Sequence, residues 1–166
     1  MIRITFLGHG LDGICSTPGV DIDTVREALA AFPDTRIIEA GGDVYAIADP
    51  DGDYDQHPRH GWATVVTSDA HDAASDLDRP GVYRLNLGLP RDRFREVIDP
   101  AAEHDFTALD VLMPHPVYGG RHWVCVLNPD RTWPTVQHLL AEAHAYGARR
   151  EANAAGRRNR PHPPGV

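Results

Sequence analysis

Val82-Tyr83-Arg84-Leu85-Asn86-Leu87 alternates polar and apolar residues near the middle of the chain. Read as a strand, its period of two sends Leu85 and Leu87 to one face and Arg84 and Asn86 to the other. The leucine face is ordinary core. The other face carries two polar side chains on a central strand, which need partners or a ligand. Gly88-Leu89-Pro90 closes the run, and Pro90 suits the first turn of a short helix carrying Phe94, Val97 and Ile98. Upstream, Thr35–Glu39, Val44–Ala48 and Ala63–Thr67 are β-rich, with Gly41-Gly42 as a tight turn between the first two. These runs read as an antiparallel meander. Downstream, His122–Leu127 is the last strand, and Asn128-Pro129-Asp130 ends it as a turn.

Helices flank the strands. Val25, Ala28, Leu29 and Phe32 have helical spacing, Thr24 and Glu27 give a capping-box signature, and Pro33 ends the run. Phe106, Leu109, Leu112 and Met113 are apolar at helical or turn spacing and stop at Pro114. Thr132 and Pro134 open a final helix whose Val136, Leu139, Leu140 and Ala143 make one apolar face. The expected architecture is α+β, an antiparallel sheet with N- and C-terminal helices packed on one face. Residues 20–148 read as a single domain. Residues 1–19 read as an added edge strand, from the alternation of Ile2, Ile4 and Phe6, or as an extension from an early start codon. Residues 149–166 read as a basic disordered tail, most simply a frayed helix end followed by disorder.

Composition narrows the functions. All 16 positive residues among the 166 are arginine. A Schiff-base lysine and a P-loop lysine are therefore excluded. The net charge of −8 is unevenly spread: residues 1–146 hold 11 arginines against 23 acids, and the last twenty hold five arginines against one acid. The acidic body, with nine aspartates between Asp43 and Asp78, disfavours a broad phosphate-contacting face. Cys15 and Cys125 lie far apart without CxxC spacing, which points to a reducing cytoplasm and against a disulfide framework. No run has the length of a membrane span or a signal-peptide core, so no membrane partner is expected. The abundance of Ala, Arg, Gly, Pro and Asp without lysine fits a GC-rich bacterial genome.

Four stretches, Asp43–Asp49, Ala74–Leu87, Asp110–Gly119 and His122–Val126, come before the final helix in an order that resembles the MmcQ/YjbR-like domains. They resemble still more closely a related, uncharacterised bacterial family. The resemblance covers residues 20–148 and implies the MmcQ/YjbR-like, or CyaY-like, α+β fold. It also implies DNA binding, which is how MmcQ/YjbR-like proteins are commonly described. This chain departs from them in having Gly119-Gly120-Arg121 where lysines tend to precede the strand tryptophan, and in a longer His- and Asp-rich loop from Pro50 to Gly61.

The motifs that carry chemistry are few. Asp49-Pro50-Asp51-Gly52-Asp53-Tyr54-Asp55 has the aspartate spacing of a calcium loop, but Tyr54 stands where glycine is required and His60 where glutamate is. A Pro-Asp-Gly hairpin turn accounts for it. His57, His60 and His71, with Asp55 and Asp69, have the residue types of a metal site, but Pro58 breaks the helical spacing; no metal and no cofactor is expected. Met113–Val124 is the most unusual text, with His115 between two prolines, then Tyr118, Arg121 and Trp123. It reads either as the wall of a pocket or as a structural crossover. Cys125 between Val124 and Val126 reads as packing.

The leading expectation is a non-catalytic domain holding a small molecule or a peptide through Arg84, Asn86, His115, Tyr118, Arg121 and Trp123. Tyr45 and Trp62, if on neighbouring strands, would line the same face. One alternative is DNA binding through a sheet wing and the Arg149–Arg160 tail. Another is a cofactor-free hydrolase or lyase using His115 or His122 as general base, oriented by Asp110 or Asp105. No complete catalytic motif supports an enzyme, and nothing supplies a nucleophile elbow.

Overall fold

The computed structural model describes residues 19–99 and 101–158; the expected N-terminal extension, up to residue 18, and positions 159–166 lie outside the described residues. Among the described residues six strands form one sheet: β1 (Thr35–Ala40), β2 (Asp43–Ala48), β3 (Ala63–Val66), β4 (Arg84–Gly88), β5 (Met113–Pro114) and β6 (Trp123–Leu127). Their order is β1-β2-β3-β4-β6-β5, and every pair is antiparallel. Three α-helices among the same residues, α1 (Ile22–Ala30), α2 (Arg91–Val97) and α3 (Trp133–Arg158), complete an α+β fold. The run Phe106–Met113 forms no helix; it is turn and bridge leading into β5.

Strand register sorts the side chains into two faces. Leu85 of β4 lies opposite Val65 and Val126, and Leu87 opposite Ala63 and Val124. With Val44 and Ala46 they pack against Val25 and Leu29 of α1 and Val136, Leu139, Leu140 and Ala143 of α3. Each fully buried leucine stabilises by about 1.5–3 kcal/mol. The alternate positions of the same strands, Asp43, Tyr45, Thr64, Arg84, Asn86 and Cys125, point the other way. Among the described residues no helix covers that second face. Loops between β3 and β4 and before β5 close one end of it with a smaller core of Val66, Leu77, Val82, Met113, Cys125 and Leu127.

Three local expectations are corrected. The cap of α1 is Asp21, whose carboxylate accepts from the Thr24 N–H at 2.8 Å and the Thr24 hydroxyl at 2.9 Å, so Thr24 lies inside the first turn. Trp62 joins the helix-side core instead of the polar face. Preceding β3, it escapes that strand's alternation and lies over Gly147 of α3, where a Cβ would come within 2.5 Å of its own. The third concerns the tail, which is helical through Arg158, ten residues beyond the expected domain end at 148. Glu151 anchors it to Arg158 at 2.8 Å and to Arg59 of the β2–β3 hairpin at 3.6 Å, and alanines supply helix propensity.

Candidate functional site

Arg84 lies at the centre of the second face and is 1% exposed. A guanidinium at that depth needs its charge matched. Asp72, on the loop between β3 and β4, takes Nη1 at 3.0 Å and Nη2 at 2.7 Å. Nη1 also donates to the Ser75 hydroxyl at 2.8 Å, and Nε donates to Asn86 Oδ1 at 3.0 Å. Asn86 in turn donates from Nδ2 to Thr64 Oγ1 on β3 at 3.0 Å. The hydrogen bonds from Arg84, its own buried cation among them, hold the Asp72 carboxyl below its usual range. The network ties β3 and β4 to the 67–83 loop.

His115 follows β5 on the same face. The residue is 5% exposed, and Nδ1 accepts from the backbone N–H groups of Val117 and Tyr118, both at 3.1 Å. Accepting at Nδ1 fixes the tautomer with hydrogen on Nε2. That Nε2–H has no hydrogen-bond partner among the described residues. Burial, aided by the Arg84 cation and opposed by Asp72, pushes the ring's pKa down to about 4, so His115 is neutral at pH 7. The Tyr118 ring lies 4.9 Å from it and is itself 48% exposed, beside exposed Val117. Burial pushes the Cys125 thiol up to about 12, which makes it an inert packing group.

A second polar cluster adjoins on β2. Asp43 accepts from the Thr67 N–H at 2.8 Å and pairs with His71 Nε2 at 2.9 Å, while the Tyr45 hydroxyl lies 3.4 Å from the same nitrogen. Burial and the Asp43 charge raise the Tyr45 pKa, keeping the phenol protonated.

Of the six residues expected to form the site, Arg84, Asn86 and His115 share the second face, and Tyr118 covers the His115 ring. Trp123 is on that face of β6, packed over Gly88, where a Cβ would meet the indole at 3.1 Å. Arg121 does not converge. It sits in the short 3-10 turn Gly119–Arg121, exposed, without a side-chain hydrogen bond among the described residues. Arg84 and Asn86 do not present themselves as an open recognition pair either, because Asp72, Ser75 and Thr64 occupy most of their hydrogen-bonding capacity. Sequence reading missed Asp72 and Ser75. The available signal was that a buried arginine on a central strand requires a carboxylate, with an aspartate-rich stretch just upstream.

The expected orienting acids do not touch His115. Asp110 accepts from the N–H groups of Asp130 and Thr132 at 2.8 and 2.9 Å and from Thr132 Oγ1 at 2.6 Å, closing the entry to α3. Burial raises its pKa, but these bonds and Arg131 outweigh it and hold the carboxyl far below the usual range. Asp105 caps Thr107. In the hairpin loop, Arg59 binds Asp49 and Asp53, and His57 pairs with Asp53 at 2.9 Å. No three His, Cys, Asp or Glu side chains converge as a metal set among the described residues. Two surface hollows lie elsewhere, one of about 500 Å³ between α1 and β1 and one of about 270 Å³ between α1 and α3.

Residues 20–156 match the model of a family described as a family of unknown function (DUF6194), and the chain belongs to that family. No curated protein and no solved structure matches it.

Proposed function

We propose that this family member is a small, non-catalytic binding domain that holds a small molecule or a peptide on its loop-covered sheet face, at the rim formed by His115, Tyr118 and Trp123. The observation that carries the reading is the Nε2–H of His115. Two backbone N–H groups fix the tautomer that presents this donor, and Nε2 is not one of the buried unpaired polar atoms, so it reaches solvent and can meet an incoming acceptor. Arg84 and Asn86 serve as a rigid wall behind the rim, braced by Asp72, Ser75 and Thr64. Kinship of fold with MmcQ/YjbR-like domains and a bacterial, cytoplasmic setting belong to the same proposal, supported by the order of elements, the composition and the cysteine usage. The test is an amide-shift titration of the full chain with a small-fragment set. The reading expects perturbations grouped at Asn86, His115, Tyr118 and Trp123. Perturbations confined to Arg26, Ile37 and Glu39 of the α1–β1 hollow would refute it.

DNA binding has one specific observation in its favour. The helical tail places Arg149, Arg150, Asn153 and Arg157 within a stripe of roughly 100°, and the first two arginines lie over the Tyr146 ring at 5.7 and 5.6 Å. On this reading an anisotropy titration with duplex DNA gives binding at about 50 mM salt that weakens steeply as salt rises. Absence of binding at that salt rules it out.

A further inference from the structure

We infer that the ligand of the His115 rim is uncharged and presents a carbonyl oxygen, as an amide or a peptide main chain does. This inference rests on the binding role proposed above and names the chemistry of its ligand. It follows from an inventory of what the face has left to offer. Both oxygens of Asp72 are taken by Arg84, and one also accepts the Ala74 N–H at 3.2 Å. Asn86 Oδ1 accepts from Arg84, and Thr64 Oγ1 accepts from Asn86. The unspent groups toward the rim are donors, the Nε2–H of His115 and the hydroxyl hydrogen of Thr64, while Arg84 and Asn86, each 1% exposed, stay inside the wall behind them. A face with spare donors and occupied acceptors selects an acceptor.

Charge decides between a carbonyl and a carboxylate. The second face holds two buried or part-buried carboxylates, Asp43 and Asp72, against one guanidinium, Arg84. The surrounding body carries 23 acids against 11 arginines over residues 1–146. An incoming anion meets a negative local field, with the one buried cation already matched. A neutral carbonyl meets the same donors without that repulsion. The apolar faces of Tyr118 and Trp123 then suit the hydrocarbon part of such a ligand.

The experiment titrates the full chain with benzamide, benzoate and N-acetyl-alanine-N′-methylamide at pH 7, reading backbone amide shifts and the His115 ring nitrogens. Benzamide, the capped alanine or both should move His115 Nε2 and the Asn86 side-chain amide, with benzoate at least tenfold weaker. A response to benzamide alone assigns the site to small amides, and a response to the capped alanine alone assigns it to peptide main chain. His115→Asn keeps an acceptor for the Val117 and Tyr118 N–H groups but loses Nε2–H, and should weaken the responding amide about tenfold. Benzoate binding as tightly as benzamide overturns the carbonyl assignment while leaving the binding face intact, as does unchanged amide affinity in the variant. Silence of all three probes at the face removes both the assignment and the binding reading beneath it.

Discussion

On the helix-covered face of the sheet, Leu85 and Leu87 meet Val65, Val124 and Val126 beneath α1 and α3; one residue along the same strand, Arg84 and Asn86 meet Asp72, Ser75 and Thr64 beneath a loop. Both faces of β4 are buried, yet they are stabilised by opposite means. The first face gains from non-directional apolar burial, which tolerates substitutions of similar volume. The second face depends on directional bonds around one charge, where losing a partner leaves others unsatisfied. Function can reside only on the second of these faces. A repacked leucine face would keep the fold and nothing more, whereas the polar face fixes the tautomer environment, the charge and the spare donors of a site.

The largest expected effect breaks the polar face. Arg84→Ala strips Asp72 of both its guanidinium bonds and Asn86 of its donor, and is expected to cost about 3–5 kcal/mol. The double variant with Asp72→Ala should cost less than the sum of the two single changes, because the stranded carboxylate is gone. Additive costs in denaturant melts would mean that the pair is uncoupled. On the other face, Leu87→Ala is expected to cost about 2–5 kcal/mol through a cavity, while leaving the His115 titration where it was.

The next expectation separates the faces by pH. With a folded pKa of about 4 against an ordinary 6.5, His115 takes its proton later in the folded state than in the unfolded one. Its contribution is therefore complete above pH 6.5, declines as pH falls toward 4, and is flat below that. Its full size is about 3 kcal/mol. Asp72 and Asp110, held below their ordinary values, add a further loss only below the ordinary carboxylate range. His115→Asn should flatten stability between pH 6.5 and 4 and keep the acid-side loss. A slope unchanged by that substitution would place the titration elsewhere.

How much of this was legible in the sequence follows the same division. The period of two across Arg84–Leu87 and the helical spacing of Val136–Ala143 depend on local geometry, so the sheet and the helices on its leucine face could be read directly. The partners of Arg84 come from a loop with no periodicity, and only the requirement to neutralise a buried charge pointed toward Asp72. Trp62 was misplaced because its position is set by the gap over Gly147, a contact distant in sequence. The helix beyond residue 148 was hidden by the charge and proline content of the tail, whose alanines and Glu151–Arg59 pairing extend α3 to Arg158.

The smallest expected effect is at Arg121, which faces out from the 3-10 turn. Arg121→Ala should change stability by no more than about 0.5 kcal/mol. A larger cost in thermal melts would reveal a contact that binds the turn to the polar face and would redraw its edge.

The polar face presents a neutral His115 with its hydrogen on Nε2. A pH series of ring-nitrogen spectra of the ¹⁵N-labelled full chain measures tautomer and titration together. A protonated Nε2 and an unprotonated Nδ1 are expected at pH 7, with a midpoint near 4. Hydrogen on Nδ1, or a midpoint at the ordinary 6.5, would contradict that assignment.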